Sequence, residues 1–264
     1  MFLGGIFPGL LLAFFYITYI GVRSFVHPQL APALSPEERA TWAEKVSSLR
    51  LVILPILLIL AVLGSIFTGI TTPTEAAAVG ALGGILCAVV NRKLTLKSLK
   101  LSIYDTLKIT TMLMWIMGAG ICFSAVYTGL GAPQLVQDTL GALGIGPWGV
   151  LLIMELSLII LGMFLDPNSI MIITVPIYVP IIIELGFDPL WFGILFVMNI
   201  EIAYLTPPFG WNIFYLKSIV PSSIIITDIY RAVGAFVALQ VTALAIVMAF
   251  PQIALWLPTL MIGR

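Results

Sequence analysis

The stretch that decides the fold is Leu161-Gly162-Met163-Phe164-Leu165-Asp166-Pro167-Asn168-Ser169, answered some forty residues later by Leu205-Thr206-Pro207-Pro208-Phe209-Gly210-Trp211-Asn212. Each places proline, carboxylate, amide or hydroxyl groups in the middle of apolar sequence. An unpaired backbone group in hydrocarbon costs several kcal/mol, so broken helix at membrane depth persists only where protein or a watery cavity covers it. Two such interruptions are the pattern of ion and solute sites built from broken helices in secondary transporters. The arms around Asp166, over 150–185, predict a hairpin, and 190–219 predicts a helix interrupted at Thr206-Pro207-Pro208.

The surrounding composition agrees. Of 264 residues, 61% are apolar and 9% charged, with a mean hydropathy of +1.15. A soluble domain has about a quarter of its residues charged, so the chain reads as an all-α, polytopic membrane protein. Further apolar runs predict spans at 2–22, 51–70, 76–90, 112–130 and 232–250. Gly5 and Gly9 form a small-xxx-small pair suited to a close helix contact. The small residues of 76–84, including Gly80, Gly83 and Gly84, predict tight packing of another helix. Thr72 or Thr74 is positioned to cap the third span, with Glu75 in its first turn, where the dipole favours an anion.

Polar segments separate the spans. Ser35, followed by Pro36 and Glu38, predicts the start of a surface helix over 35–48. Residues 95–108 carry Leu96, Leu99, Ile103 and Leu107 on one face and read as an amphipathic helix at the interface. Short surface helices are also expected at 132–143 and 222–231. If 23–50 is cytoplasmic, the crossings put eleven of the twelve Lys and Arg residues on that side, leaving Arg264 outside. The positive-inside rule then places both termini of the chain on the outer face. The rule leaves open whether the Asp166 hairpin spans fully or is re-entrant. The absence of Lys and Arg at its tip favours re-entrant.

Little in the chain suggests enzymatic chemistry. It has one histidine, His27, in a polar loop, and no P-loop motif. Cys87 and Cys122 lie alone in apolar segments and read as packing residues. The formal GxGxxG at 144–149 follows no strand and contains a proline, so it is set aside. The candidates are polar groups in membrane context, where burial is costly and function is the usual compensation. They are Asp166, Asn168 and Ser169 at the hairpin tip, and Thr206, Pro207 and Asn212 at the break. Asp166 is equally suited to capping the helix that starts at Pro167. Glu155 and Glu201 read either as protonated groups or as residues near the outer interface. Pro207 and Pro208 deprive the carbonyls near Ala203 and Tyr204 of helical donors. Those carbonyls, with the Thr206 hydroxyl, would make a hard-oxygen setting suited to Na⁺, drawing on Asp166, Ser169 and Thr206.

Three motifs, in order, carry a family resemblance: Gly-Ile-Thr-Thr-Pro-Thr-Glu-Ala-Ala-Ala-Val-Gly at 69–80, Leu-Gly-Met-Phe-Leu-Asp-Pro at 161–167 and Leu-Thr-Pro-Pro-Phe-Gly at 205–210. With them the chain resembles the large membrane subunit (permease, DctM-like) of TRAP transporters, the tripartite ATP-independent periplasmic systems. The resemblance implies an elevator-type carrier of inverted repeats, each with a re-entrant hairpin and a discontinuous helix. It implies Na⁺-coupled uptake of carboxylate-bearing solutes across the bacterial inner membrane. The implied partners are a small membrane subunit and a periplasmic solute-binding protein. The family's large subunit carries two repeats and this chain shows one, so it looks like the C-terminal part, with the N-terminal repeat missing. The expected division is scaffold spans, cytoplasmic loop and arm helix over 1–110, a transport-type unit over 111–220, and an arm helix with the last span over 221–264. A channel-like pore subunit or a non-transporting scaffold are the alternatives.

Overall fold

In a computed structural model, residues 1–30, 41–131, 134–135, 144–165, 167–207, 210–220 and 224–262 are described. They form helices and turns without a strand. The helices are α1 Ile6–Val26, α2 Trp42–Phe67, α3 Pro73–Val90, α4 Leu96–Gly129, α5 Pro147–Gly162, α6 Pro167–Glu184, α7 Pro189–Leu205, α8 Trp211–Ile219, α9 Ile226–Ala249 and α10 Gln252–Ile262. Three of them, α1, α3 and α9, have the length and apolarity to cross a membrane. Contacts divide the chain into two compact units, Met1–Val26 with Met112–Arg264, and His27–Thr111.

Within the 27–111 unit, α2 and α3 pack as a helical hairpin. Helix α2 opens on Thr41, whose hydroxyl accepts the Glu44 N–H while the Glu44 carboxylate accepts the Thr41 N–H. The expected cap at Ser35 lies outside the described residues. Helix α2 then runs unbroken from its polar start into the apolar span, because nothing between Trp42 and Leu51 interrupts it. It ends on Thr68, with Gly69 at φ +71°, a conformation that costs glycine nothing. Thr72, rather than Thr74, caps α3 through the same reciprocal box with Glu75. The packing role of the small residues holds at Gly83, where an added Cβ would meet Leu58 at 2.2 Å, and at Gly80, where it would touch Val62. Gly84 faces open space.

The sequence pattern over 95–130 predicted an interfacial helix and then a separate span. The structure has one helix of 34 residues, α4. The polarity changes between Lys108 and Met112, but no glycine or proline lies there, and the backbone hydrogen bonds simply continue. The same holds for the expected short helix over 222–231 and the last span, which are one helix, α9. The surface helix expected at 132–143 lies mostly outside the described residues.

In the other unit, α7 is the central helix, packed on α5, α6, α8, α9 and α10. Ten of its seventeen residues are buried, including Trp191, Phe192, Leu195, Asn199 and Ile202, while Val197 and Glu201 are exposed. Its start is capped by Asp188, which accepts the N–H groups of Leu190 and Trp191. The indole N–H of Trp191 donates to the Val247 carbonyl at 3.0 Å and ties α7 to α9 inside the core. By contrast, α1 leaves Phe14, Ile17 and Phe25 exposed, the pattern of a helix with a lipid-facing side. The Gly5/Gly9 pair makes no close helix contact. Gly4 does: a Cβ there would lie 2.9 Å from the Ala254 carbonyl oxygen.

Candidate functional site

The helix interruption is present. Helix α7 ends at Leu205, Thr206 takes an extended conformation (φ −95°, ψ 129°), and helix resumes at Trp211. The proline pair explains the break, since a proline offers no donor and crowds the carbonyl four residues earlier. The chain turns tightly here. A Cβ on Gly210, which is buried, would meet Ile213 at 2.7 Å and the Tyr204 carbonyl oxygen at 3.3 Å. A larger residue here would have to displace the Ile213 side chain and crowd the Tyr204 carbonyl.

The expectation of freed carbonyls at Ala203 and Tyr204 is altered in one respect. The Ala203 carbonyl accepts the N–H of Thr206 at 3.0 Å, a tighter closing turn that replaces the bond proline cannot supply. The Thr206 hydroxyl donates to the Ile202 carbonyl at 2.7 Å. Its proton is thereby committed, and its oxygen lone pairs face away from that bond.

The hairpin tip comes to the same end of the packet. Gly162 closes α5, Ile170 lies in the first turn of α6, and Ala203 and Tyr204 lie in the last turn of α7. A Cβ on Gly162 would be 2.2 Å from the Ala203 Cβ and 3.7 Å from Ile170 Cδ1. Leu158, Ile170, Phe196 and Ile200 form one buried cluster, with Leu161, Val175, Tyr178 and Tyr204 packed against it. The end of α5 at Gly162, the first turn of α6 at Ile170 and the last turn of α7 at Ala203 and Tyr204 therefore all lie at or beside a common cluster.

The predicted residues fall as follows. Asp166 lies outside the described residues, as does the side chain of Asn168. Ser169 is half-buried in the first turn of α6. Thr206 is half-buried at the break, Pro207 is exposed beside it, and Asn212 is exposed in the first turn of α8. The helix starts at Pro167 and Trp211 direct backbone N–H groups toward these ends.

Some polar groups were not singled out in the sequence. Asn199 and Gln240 are buried, as is the hydroxyl of Tyr16. Asn199 pairs with Glu155, which is also buried, whereas Glu201 is exposed on α7. The available signal was an amide in the middle of an apolar helix, which is costly unless partnered.

Comparison with known proteins gives a consistent result. The family described as "Tripartite ATP-independent periplasmic transporter, DctM component" matches residues 1–253. The C4-dicarboxylate TRAP transporter large permease protein DctM of Vibrio cholerae is 32% identical over 284 residues, covering 100% of this chain and 61% of the relative. The protein of the same name from Pseudomonas aeruginosa is 34% identical over 259 residues, covering 98% of this chain and 59% of the relative. The ectoine/5-hydroxyectoine TRAP transporter large permease protein UehC of Ruegeria pomeroyi is 30% identical over 269 residues, covering 100% and 60%. The chain thus spans about three-fifths of the length of these relatives and matches their C-terminal part. By its apolar helices and its match over nearly the whole length, this chain is an integral membrane protein that belongs to the DctM component family of tripartite ATP-independent periplasmic transporters.

Proposed function

We propose that this chain forms the C-terminal, second-repeat part of the large subunit of a sodium-coupled TRAP carrier that takes up carboxylate-bearing solutes across the bacterial inner membrane. The observation that carries the reading is the meeting of hairpin tip and helix break at one cluster, through Gly162, Ile170 and Ala203, in a chain of this family. Helices α5 and α7, of 16 and 17 residues, are shorter than the roughly 20 residues a full crossing requires. That suits a re-entrant hairpin beside a discontinuous helix in an elevator-type carrier.

In this reading Asp166, Asn168 and Ser169 approach from the tip, and Thr206, Pro207 and Asn212 from the break. Sodium is held by Asp166, Ser169 and Thr206 with nearby carbonyls, since a small hard cation prefers oxygen donors. The helix starts at Pro167 and Trp211 suit the carboxylate of the solute. C4-dicarboxylates and ectoine, the solutes for which the relatives are named, both carry that group. The other side of the cavity comes from an N-terminal repeat. A small membrane subunit and a periplasmic solute-binding protein complete the system, and both termini of this chain face the periplasm.

The test is uptake of labelled C4-dicarboxylate or ectoine by the complete transporter in proteoliposomes, with its binding protein outside. An inward sodium gradient should drive accumulation, and Asp166→Asn should raise the sodium requirement at equal protein content. Uptake indifferent to sodium, or a steady current without accumulation, would overturn the proposal.

A further inference from the structure

The core of the α5–α7 packet contains a fully buried polar contact that the carrier reading does not use. The side-chain amide of Asn199 on α7 donates to Glu155 on α5 twice, to the backbone carbonyl at 2.8 Å and to carboxyl Oε2 at 2.6 Å. Glu155 is 4% exposed and Asn199 is 0% exposed. The remaining oxygen of each group, Glu155 Oε1 and Asn199 Oδ1, is buried without a hydrogen-bond partner. Both amide protons are already spent. A carboxylate here would leave two orphaned acceptors and an unpaired charge among Leu151, Leu158, Leu195 and Ile202. Neither α5, α6 nor α7 contains a lysine or arginine.

We infer that Glu155 and Asn199 form a proton-binding site that fastens hairpin arm α5 to α7. Glu155 carries the proton on Oε1 and donates it to Asn199 Oδ1, while Asn199 Nδ2 donates to Oε2. Acid and amide then face each other through two antiparallel hydrogen bonds, and all four buried atoms are satisfied. One proton removes both orphans and the charge at once, which is the cheapest way to keep a carboxyl group in an apolar core.

A sodium ion fits the same place poorly. It needs a shell of several oxygens, and among the described residues the side chain hydrogen-bonded to the Glu155 carboxyl is Asn199. The helices packed on α5 are α6 and α7. Their titratable groups are Tyr178 and Glu184 on α6, and Glu201, Tyr204 and the capping Asp188 on α7. Among the described residues, the side chain that acts on the Glu155 carboxyl is Asn199. The site lies two turns from Gly162 and one turn from Ala203. Its consequence is mechanical: without the proton, a carboxylate oxygen would confront the amide oxygen and weaken the α5–α7 contact that positions the hairpin. The inference rests on these contacts and is independent of sodium coupling.

The experiment is infrared difference spectroscopy of the complete transporter in lipid at neutral pH, wild type against Glu155→Gln. The expected difference is a carboxylic-acid C=O band in the wild type, shifted in D₂O and missing in the variant. Carboxylate bands in its place would overturn the inference. Glutamine can repeat the pairing, with its N–H₂ to Asn199 Oδ1 and its oxygen to Nδ2, so the variant should keep the wild-type unfolding midpoint. The shift of its unfolding midpoint on adding sodium, whatever its size, should match that of the wild type; a smaller shift in the variant would make Glu155 a sodium ligand and sink the proton site. Should the variant not accumulate, Asn199→Leu removes the acceptor and should move the acid band to higher frequency. An unmoved band would rule out the acid–amide pair.

Discussion

Gly162 lies directly against Ala203, so closely that a Cβ added to Gly162 would sit 2.2 Å from the Ala203 Cβ. No pair of methyl groups tolerates that distance, and neither end is a flexible side chain that could swing aside. The contact brings the end of α5 onto the last turn of α7 just before the break. It sets the spacing between the hairpin tip and the interrupted helix.

Gly162→Ala should therefore force α5 away from α7. Overpacking a close contact of this kind costs about 1–3 kcal/mol, to be read as a lower unfolding midpoint and as reduced uptake. Ala203→Gly removes the opposing methyl, so the double variant should recover most of the loss. That coupling is what a double-mutant cycle measures for residues in contact. A Gly162→Ala protein with wild-type stability would show that the helices do not approach as described.

Thr206 separates a structural hydroxyl from an ion ligand. Its proton is given to the Ile202 carbonyl, and its oxygen remains free to face a cation. Thr206→Ser keeps that oxygen and should leave sodium dependence close to wild type. Thr206→Val removes it at nearly constant volume. With 1.4 kcal/mol equal to a tenfold change in affinity, loss of one oxygen ligand should raise the half-saturating sodium concentration on the order of tenfold. Identical sodium curves for valine and wild type would reduce the break to a bend.

The orientation proposed for the chain, with both termini periplasmic, can be tested by labelling. In a background with Cys87 and Cys122 replaced by alanine, a cysteine at Lys45 should react only from the cytoplasmic side. A cysteine at Gln134 should react only from the periplasmic side. Reaction of both from one side would break the count of crossings.

Glu44 offers a pH test at the polar start of α2, ahead of the apolar stretch Val52–Phe67. The Thr41 backbone N–H, and after it the Thr41 hydroxyl, holds its carboxyl below the usual carboxylate range. A depressed folded value means that the capping contribution is fully present above the unfolded value, about 4.3. It is lost as pH falls through the lower folded value. Carboxyl NMR of labelled Glu44 should give a midpoint below that of an unstructured glutamate, and Thr41→Ala should move it upward. A midpoint at or above the ordinary value would remove the capping box.

Much of this protein is written locally in its chain. The apolar runs require helices, Pro207-Pro208 requires the break, and Thr72 with Glu75 marks where α3 begins. Each of these depends on residues within a turn of one another, where sterics and backbone hydrogen bonding decide the outcome. Local pattern misled where polarity changed without a helix breaker. Helices α4 and α9 continue through such points because the backbone responds to missing donors and clashes, not to which solvent its side chains face. Tertiary structure alone decided which apolar helices meet and in what register. Asn199 finds Glu155 across 44 residues and Trp191 finds the Val247 carbonyl across 56, while Gly162 fits against Ala203. Apolar residues lie all round α7, interrupted by Asn199 and Glu201, so its pattern carries little preferred direction of packing. The choice falls to volumes and to the few buried polar atoms that must be satisfied together.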